Sequence, residues 1–208
     1  MKAEPTIVVL AAGQGSRFKG SSHKLEQPLG GSTVLGCTLR NAIESRLPVV
    51  LVTTASMVAM AGALLARRDI VVLSAVEAQR GMGSSLVAGV SERASASGWL
   101  VLPGDMPLVR PGTLRAVAES LEHHAVVYAQ YKGRRGHPVA FAAELFSELI
   151  MLDGDEGARR IVTRYPVHGE ELDDPGVLMD VDTREDLLHV QAAGASIWPG
   201  LKQDTPAK

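Results

Sequence analysis

Two basic side chains follow a glycine-containing segment near the start of the chain, and this combination suits the binding of a polyphosphate. Gly13 and Gly15 come directly after a short apolar run, and Arg17 and Lys24 lie a few residues further on. Small residues let the backbone approach a ligand closely, and successive backbone N–H groups form a concave anion site. Arg17 can fork onto phosphate oxygens, whereas Lys24 supplies a point charge. Taken alone, the glycines would also fit a tight strand-to-helix turn.

Two common phosphate-binding loops do not fit this segment. The dinucleotide-binding pattern G-x-G-x-x-G would require glycine where Phe18 stands. The pattern G-x-x-x-x-G-K-[ST], started at Gly15, would require lysine where Ser21 stands. The segment therefore predicts a triphosphate loop of a different type.

Three aspartates are candidates for binding a hard cation. Asp105 lies between glycine and proline residues, in what should be a stiff, exposed turn at the end of an apolar run. Mg²⁺ prefers one or two carboxylates together with substrate phosphates, although Asp105 could instead cap the helix that begins near Pro111. Asp180 and Asp182 would point to the same side if their segment is a strand. For Asp182, metal binding and capping of the following helix are equally good interpretations, and for Asp180 a structural role is favoured.

Residues 81–85 could contact the nucleoside part of a substrate. Gly81 and Gly83 precede Ser84 and Ser85, so that free N–H groups and hydroxyls could read a base edge or hold a ribose. An ordinary glycine loop with a serine cap is the alternative.

A basic segment further along could hold an acceptor phosphate. Arg135 and Gly136 precede His137, whose backbone is forced towards an extended conformation by the proline that follows it. A lone histidine is more often structural. Asp155, further downstream, is interpreted first as a helix N-cap.

The elements that must position these residues follow from short apolar runs with little polar alternation. These runs are residues 6–11, 49–53, 70–73, 99–102 and 125–129. They are typical of strands buried on both faces of a parallel sheet. Segments with helical spacing alternate with them, at 34–42, 57–66, 84–94 and 113–122. The alternation predicts an α/β, three-layer sandwich with helices on both faces of a mostly parallel sheet. Because ligands bind at the carboxyl ends of such strands, Gly13 and Asp105 should meet in one site.

The second half of the chain is less regular. We expect strands at 137–141 and 177–181, and helices at 143–152, 156–163 and 184–193, with a basic turn at 132–136. Residues 1–195 should form a single domain, followed by a loose tail at 196–208.

Bulk composition narrows the possible classes of protein. The formal net charge of −2 offers no basic excess for a nucleic-acid partner. No apolar stretch reaches the roughly 20 residues that a membrane helix requires. Cys37 is the only cysteine, so an internal disulfide is impossible, and burial is expected for it. We therefore expect a cytoplasmic protein that binds neither membranes nor nucleic acid.

Taken in order, the motifs resemble those of the MobA-like nucleoside triphosphate transferases, and within them the molybdenum cofactor cytidylyltransferases. The matching segments are residues 10–17, 24–25, 28–31, 81–86, 104–107, 135–138, 154–159 and 180–183. The resemblance implies a Rossmann-like fold and covers nearly the whole chain up to about residue 193. It departs after Arg17, where many relatives carry Met-Gly, and at His23, since an acidic residue is common before Lys24.

The resemblance also implies a role for each matched residue. The implied nucleotide-binding residues are Leu10, Ala11, Ala12, Gly13, Gly15, Arg17, Lys24, Gly81, Gly83, Ser84 and Ser85. Arg17, Lys24 and Asp105 would be catalytic, and Mg²⁺ would be held by Asp105 and Asp182. The acceptor would be bound by Arg135, Gly136, His137 and Asp155.

The implied reaction is transfer of CMP from CTP to the terminal phosphate of molybdopterin or its molybdenum form, with release of pyrophosphate. The Ala-Ala-Gly start of the loop favours CTP over GTP. Three alternatives stay open: another phosphorylated acceptor such as a sugar phosphate, a glycosyltransferase that uses Asp180-x-Asp182, and a carrier that delivers a cofactor to a molybdenum hydroxylase apoenzyme. The presence of both Arg17 and Lys24 favours a triphosphate over passive binding.

Overall fold

The computed structural model describes residues 3–15, 17–18, 22–152, 154 and 158–197, without the side chains of 195–197. The strands are β1 Thr6–Ala11, β2 Pro28–Leu29, β3 Ser32–Thr33, β4 Val49–Thr54, β5 Ile70–Leu73, β6 Gly98–Pro103, β7 Val126–Tyr131, β8 Arg134–Ala142 and β9 Val167–Glu171. The helices are α1 Val34–Glu44, α2 Val58–Ala61, α3 Ala75–Ala78, α4 Met82–Glu92, α5 Pro111–Ser120, α6 Phe146–Leu149, α7 Arg159–Arg164 and α8 Arg184–Ile197.

Seven of the strands in the described residues form one sheet, in the order β5-β4-β1-β6-β8-β7-β9. Only β8 runs antiparallel to its neighbours, and the other strands share one direction. The prediction of a mostly parallel sheet is therefore confirmed. The order of β5, β4, β1 and β6 brings the carboxyl ends of β1 and β6 side by side, where the loops carrying Gly13 and Asp105 begin.

The core consists of one apolar layer on each face of the sheet, as the predicted three-layer sandwich requires. Ile7 and Val9 of β1 point into the layer that also contains residues of α1 and α5. Val8, between them, points into the opposite layer with Leu86 and Val90 of α4. These side chains are fully or almost fully buried, and each such burial contributes about 1.5–3 kcal/mol. Among the described residues, no helix combines the length and the apolar character needed to cross a membrane.

Several predicted elements differ from those observed. The helix expected at 57–66 is confined to Val58–Ala61 after a 3-10 turn, because Gly62 ends it. The helix expected at 143–152 is likewise a 3-10 turn followed by the short α6. α7 begins at Arg159, and residues 156 and 157 of its expected first turn lie outside the described part. α8 continues to Ile197, while residues 198–208 of the expected tail also lie outside it.

The strand predicted at 177–181 is wrong. Pro175–Leu178 forms a 3-10 turn, with proline at its first position and the Asp174 side chain accepting from the Gly176 N–H at its start. The edge strand β9 was missed, because its polar residues lack the apolar alternation that marks a strand. The predicted basic turn is a hairpin turn at Lys132 and Gly133, both with positive φ.

Asp174 holds in place the segment that leads to Asp180 and Asp182. Its side chain is buried and accepts hydrogen bonds from Thr113 Oγ1 at 2.6 Å, from the Arg110 N–H at 2.9 Å and from the Gly176 N–H at 3.0 Å. Asp174 therefore fastens the 3-10 turn to the start of α5. The same segment is tied to the end of β6 where the Val181 N–H donates to the Asp105 carbonyl at 3.0 Å.

We expect Asp174→Ala to lower the free energy of unfolding by about 2–4 kcal/mol, because two buried donors and one partly buried donor lose their acceptor. For a chain of this size that corresponds to a fall in Tm of roughly 5–15 °C in a thermal melt. Asp173→Ala, at the exposed neighbouring position, is the matched control and should leave the Tm within about 2 °C. Equal melting of the two variants would contradict the anchoring role of Asp174.

Candidate active site

A cavity of about 880 Å³ opens at the carboxyl ends of β1 and β6. Of the predicted site residues, it is lined by Leu10, Ala12, Gly13, Gly15, Arg17, Lys24, Gly81, Ser85, Asp105, Arg135, Gly136, His137 and Asp182. Ala11, Gly83 and Ser84 do not line it, and Asp155 lies outside the described residues. Residues predicted from distant parts of the chain thus converge on one concave surface.

The loop after β1 leaves open space beside its backbone. Among the described residues, a Cβ added at Gly13 would meet no atom within 4 Å, so a ligand could approach this backbone directly. Gly15 has a φ of +61°, which an L side chain adopts only with strain. A Cβ there would also lie 3.2 Å from Cγ of Lys24.

His23 joins this loop to the turn that carries Lys24, a role that the sequence analysis missed. Its Nδ1 accepts from the Leu25 N–H at 3.2 Å, so the proton resides on Nε2, which donates to the Gly13 carbonyl at 2.9 Å. The Glu26 carboxylate in turn accepts from the His23 N–H at 3.2 Å. The only indication in the sequence was that His23 directly precedes Lys24. The contacts of its imidazole ring with Gly13 and Leu25 appear only in the tertiary structure.

Lys24 lies between two of the predicted carboxylates. Its Nζ is 2.5 Å from Oδ2 of Asp105 and 2.6 Å from Oδ1 of Asp182, and all three side chains are largely buried. Burial alone would lower the pKa of the Lys24 ammonium. The charges and hydrogen bonds of Asp105 and then Asp182 outweigh burial and raise the pKa above its ordinary value. The ammonium is therefore charged throughout the neutral pH range.

Neither Asp105 nor Asp182 serves as a helix cap. Asp174 accepts from the backbone and side chain at the start of α5, and Thr183 exchanges hydrogen bonds with Asp186 at the start of α8. The carboxylate of Asp182 instead receives Lys24 and, on its other oxygen, Nη1 of Arg17 at 2.6 Å. The Arg17 side chain is 76% exposed, so solvent screens that ion pair.

Asp105 retains capacity to bind a cation. Its Oδ1 is buried and has no hydrogen-bond partner among the described residues, an arrangement that costs free energy unless a further ligand uses it. One oxygen of Asp105 and one of Asp182 contact the same Nζ atom of Lys24, so the two carboxylates lie side by side. The described residues contain no cluster of three acidic, histidine or cysteine ligands for a metal. The site therefore suits a cation that takes its remaining ligands from substrate phosphates and water.

Asp180 and His137 complete this end of the cavity. Asp180 is exposed and lines the cavity. A structural role was favoured for it from the sequence, on a segment expected to be a strand, but Asp180 does not lie on a strand. Partial burial, and then the negative charges of Asp105 and Asp182, raise the pKa of Asp180. Burial lowers the pKa of His137 even though Asp105 and Asp180 oppose this, so its imidazole is neutral near pH 7. The Nδ1 atom of His137 is buried without a hydrogen-bond partner in the described structure.

Residues 7–170 match the family model of the MobA-like NTP transferase domain. The chain belongs to the MobA-like NTP transferase family. Among curated proteins it is 30% identical over 200 residues to the purine catabolism protein PucB of Bacillus subtilis (strain 168), covering 89% of this chain and 95% of PucB.

Solved structures of related proteins have the same fold. Rv0371c from Mycobacterium tuberculosis H37Rv superimposes with a TM-score of 0.78 at 31% identity, over 91% of this chain and 98% of Rv0371c. A second crystal structure of Rv0371c, in complex with manganese, gives a TM-score of 0.75 at 29% identity, over 91% and 99% of the two chains. This MobA-like chain is thus a nucleotidyltransferase by family, with the fold that the sequence predicted.

On the remaining wall, this MobA-like NTP transferase presents the start of α4 and the β8 hairpin. Gly81, with a φ of +100°, precedes α4, and the buried Ser85 lies one turn later. Met82, which was given no separate role within residues 81–85, lines the cavity although the residue is 57% exposed. On the hairpin, the guanidinium of Arg135 lies 4.7 Å from the ring centre of Tyr128.

Gly136 lines the cavity and also has a packing role. A Cβ at this position would lie 2.2 Å from the carbonyl oxygen of Val177. Glycine is therefore required for the 3-10 turn at Pro175–Leu178 to pack against β8.

We expect Gly13→Ala to fold as the wild type does, because the added methyl group meets no atom of the described residues within 4 Å and φ of Gly13 lies outside the left-handed region. It should nevertheless weaken nucleoside triphosphate binding about 10-fold or more, since the methyl group fills the space beside the loop. Isothermal titration calorimetry and a thermal melt measure the two effects.

Gly112→Ala is the matched control for this experiment. Gly112 is exposed on α5, and a Cβ there would have only the end of the Arg115 side chain within 4 Å. Gly112→Ala should bind nucleotide as the wild type does. Equal affinities for the wild type and Gly13→Ala would show that the loop does not approach the ligand.

Proposed function

We propose that this protein transfers the nucleotidyl group of CTP to a terminal phosphate on its acceptor, with Mg²⁺ as cofactor and pyrophosphate as leaving group. The observation that supports this most strongly is the meeting of Lys24, Asp105 and Asp182 beside the open Gly13 backbone in one cavity. A polyphosphate needs exposed backbone N–H groups and cations, and its metal ion needs carboxylates. Both sets of groups face the same cavity.

In the proposed reaction, an oxygen of the acceptor phosphate forms a bond to the α-phosphorus of the nucleotide. The bond from that phosphorus to the oxygen bridging the α- and β-phosphates breaks, and pyrophosphate leaves with the electron pair. The attacking oxygen is already anionic, so that no general base is needed. Catalysis then depends on positioning and on neutralising charge.

Each wall of the cavity has a proposed task in this reaction. Lys24 and Arg17 hold the β- and γ-phosphates and stabilise the leaving pyrophosphate. Arg135 and the neutral His137, on the facing hairpin, orient the acceptor. Asp105 and Asp182 would hold Mg²⁺, which when bound neutralises charge on the phosphoryl oxygens. The buried Oδ1 of Asp105, which has no partner in the described part of the chain, supports this assignment, as does the crystallisation of the related Rv0371c with manganese.

We place the nucleoside beside the start of α4, at the side of the site where a second cavity of about 420 Å³ adjoins the first. The two cavities share Ala12, Gly13, Gln14 and Ala78, so a triphosphate lying along the loop directs its nucleoside towards this region. The Ala-Ala-Gly start of the loop supports CTP as the donor, with GTP as the alternative. The resemblance to molybdenum cofactor cytidylyltransferases supports molybdopterin, or its molybdenum form, as the acceptor, and a molybdenum hydroxylase apoenzyme as the recipient of the product.

Replacing Asp105 tests the role of the metal. We expect Asp105→Asn to keep the fold but to lose Mg²⁺-dependent release of pyrophosphate about 100-fold or more, because the cation loses a carboxylate. Pyrophosphate is measured by a coupled assay with CTP and purified molybdopterin. Asp173→Asn, an exposed aspartate away from the cavity, should retain full activity. Unchanged turnover in Asp105→Asn would remove the metal assignment.

A panel of nucleotides tests the donor. With Mg²⁺ present, CTP should raise the Tm more than GTP, ATP or UTP. Saturation at 100 times the Kd stabilises by about 2.7 kcal/mol, or roughly 5–10 °C for a chain of this size. A larger shift with GTP would favour GTP as the donor instead. Mass spectrometry of the dinucleotide product tests the acceptor, and tight binding of molybdopterin without any turnover would support a carrier instead.

A further inference from the structure

Lys24 lies where the proposed divalent cation would have to bind. Its Nζ contacts one oxygen of Asp105 and one of Asp182, at 2.5 and 2.6 Å. Its side chain is only 12% exposed, and those of the two aspartates are 15% and 18% exposed. This is a desolvated triad in which the ammonium neutralises two carboxylates that would otherwise repel each other.

The ammonium and a divalent cation cannot bridge the two carboxylates at the same time. Mg²⁺ binds carboxylate oxygens at about 2.0–2.1 Å. Oδ1 of Asp105, without a partner among the described residues, can offer it one ligand, but a bridge to Asp182 passes through the space that Nζ of Lys24 occupies. At that distance the two cations would also repel each other strongly, because burial reduces solvent screening. The pair can therefore accept the metal only after Lys24 leaves it.

The side chain of Lys24 has a second destination in the same cavity. Its stem passes the glycine loop, since Cγ lies 3.2 Å from the position that a Cβ of Gly15 would occupy. Lysine carries its charge on a flexible chain of four carbons, so Nζ can turn from the carboxylates towards phosphates bound along this loop. A nucleoside triphosphate supplies the negative charge that would draw it there.

We propose that Lys24 serves as an internal counter-ion that is exchanged for the metal when nucleotide binds. In the nucleotide-free protein it holds Asp105 and Asp182 together and excludes free divalent cations. When the phosphates draw Lys24 away, the carboxylates become available to the metal, so that metal and nucleotide load together. This inference rests on the proposed function, because it takes the cavity to be the triphosphate site.

Arg17 provides a matched comparison within the same site. It too forms an ion pair with Asp182, at 2.6 Å, but it uses the other oxygen and its side chain is 76% exposed. Such an exposed pair contributes little and does not bridge the two carboxylates. Removing Arg17 should therefore leave the exclusion of metal intact, whereas removing Lys24 should abolish it.

The test is the binding of Mn²⁺ to the nucleotide-free full chain, measured from the electron paramagnetic resonance signal of free Mn²⁺. We expect the wild type to bind weakly and Lys24→Met to bind at least about 10-fold more tightly. Arg17→Met should stay within about threefold of the wild type. Adding Asp182→Asn to Lys24→Met should remove the gain, which assigns the new site to the carboxylate pair.

Lys24→Arg tests whether the positive charge of residue 24 is what excludes Mn²⁺. Because this variant replaces one cation with another, it should bind Mn²⁺ as weakly as the wild type. Thermal melts establish that each variant is folded. The proposal is overturned if folded Lys24→Met binds Mn²⁺ no more tightly than the nucleotide-free wild type does. Because this measurement contains no nucleotide, its outcome is independent of catalysis. The proposed function itself fails separately, if no nucleoside triphosphate yields pyrophosphate.

Discussion

The site depends on one electrostatic constraint, which is that two largely buried carboxylates stay close together only when a cation lies between them. Asp105 lies near the middle of the sequence and Asp182 near the end of the domain, and each contacts Nζ of Lys24, which lies near the start. Desolvated like charges would otherwise repel each other or take up protons. The cation therefore joins three distant parts of the chain, and any ligand that takes Lys24 away must supply another cation in its place.

The scaffold brings these groups together through the geometry of a parallel sheet. Adjacent pairing of β1 and β6 places the glycine loop beside the turn that carries Asp105. The third part of the site has no strand to position it. It is positioned instead by the buried Asp174 and by the backbone hydrogen bond from Val181 to Asp105. Strand pairing thus positions two parts of the site, and polar contacts position the third.

Much of this arrangement follows from local patterns in the sequence. Runs of Val, Leu and Ile without polar alternation predicted β1, β4, β5, β6 and β7 because strands buried on both faces carry apolar residues in succession. The glycines after β1 and the aspartate after β6 predicted a shared site because ligands bind at the carboxyl ends of parallel strands. Weaker patterns failed: β9 is polar, and the turn before Asp180 was predicted as a strand.

By itself, the sequence determined the class of fold, the positions of the main strands along the chain and which residues could bind a phosphate or a cation. These properties depend on residue type and short-range periodicity. The tertiary structure alone decided that Lys24 contacts the two aspartates, that His23 fastens the loop, and that Asp174 and Thr183 rather than Asp105 and Asp182 cap the helices. Such contacts join residues as many as 158 positions apart, and their partners are selected by packing and desolvation, which no local pattern encodes.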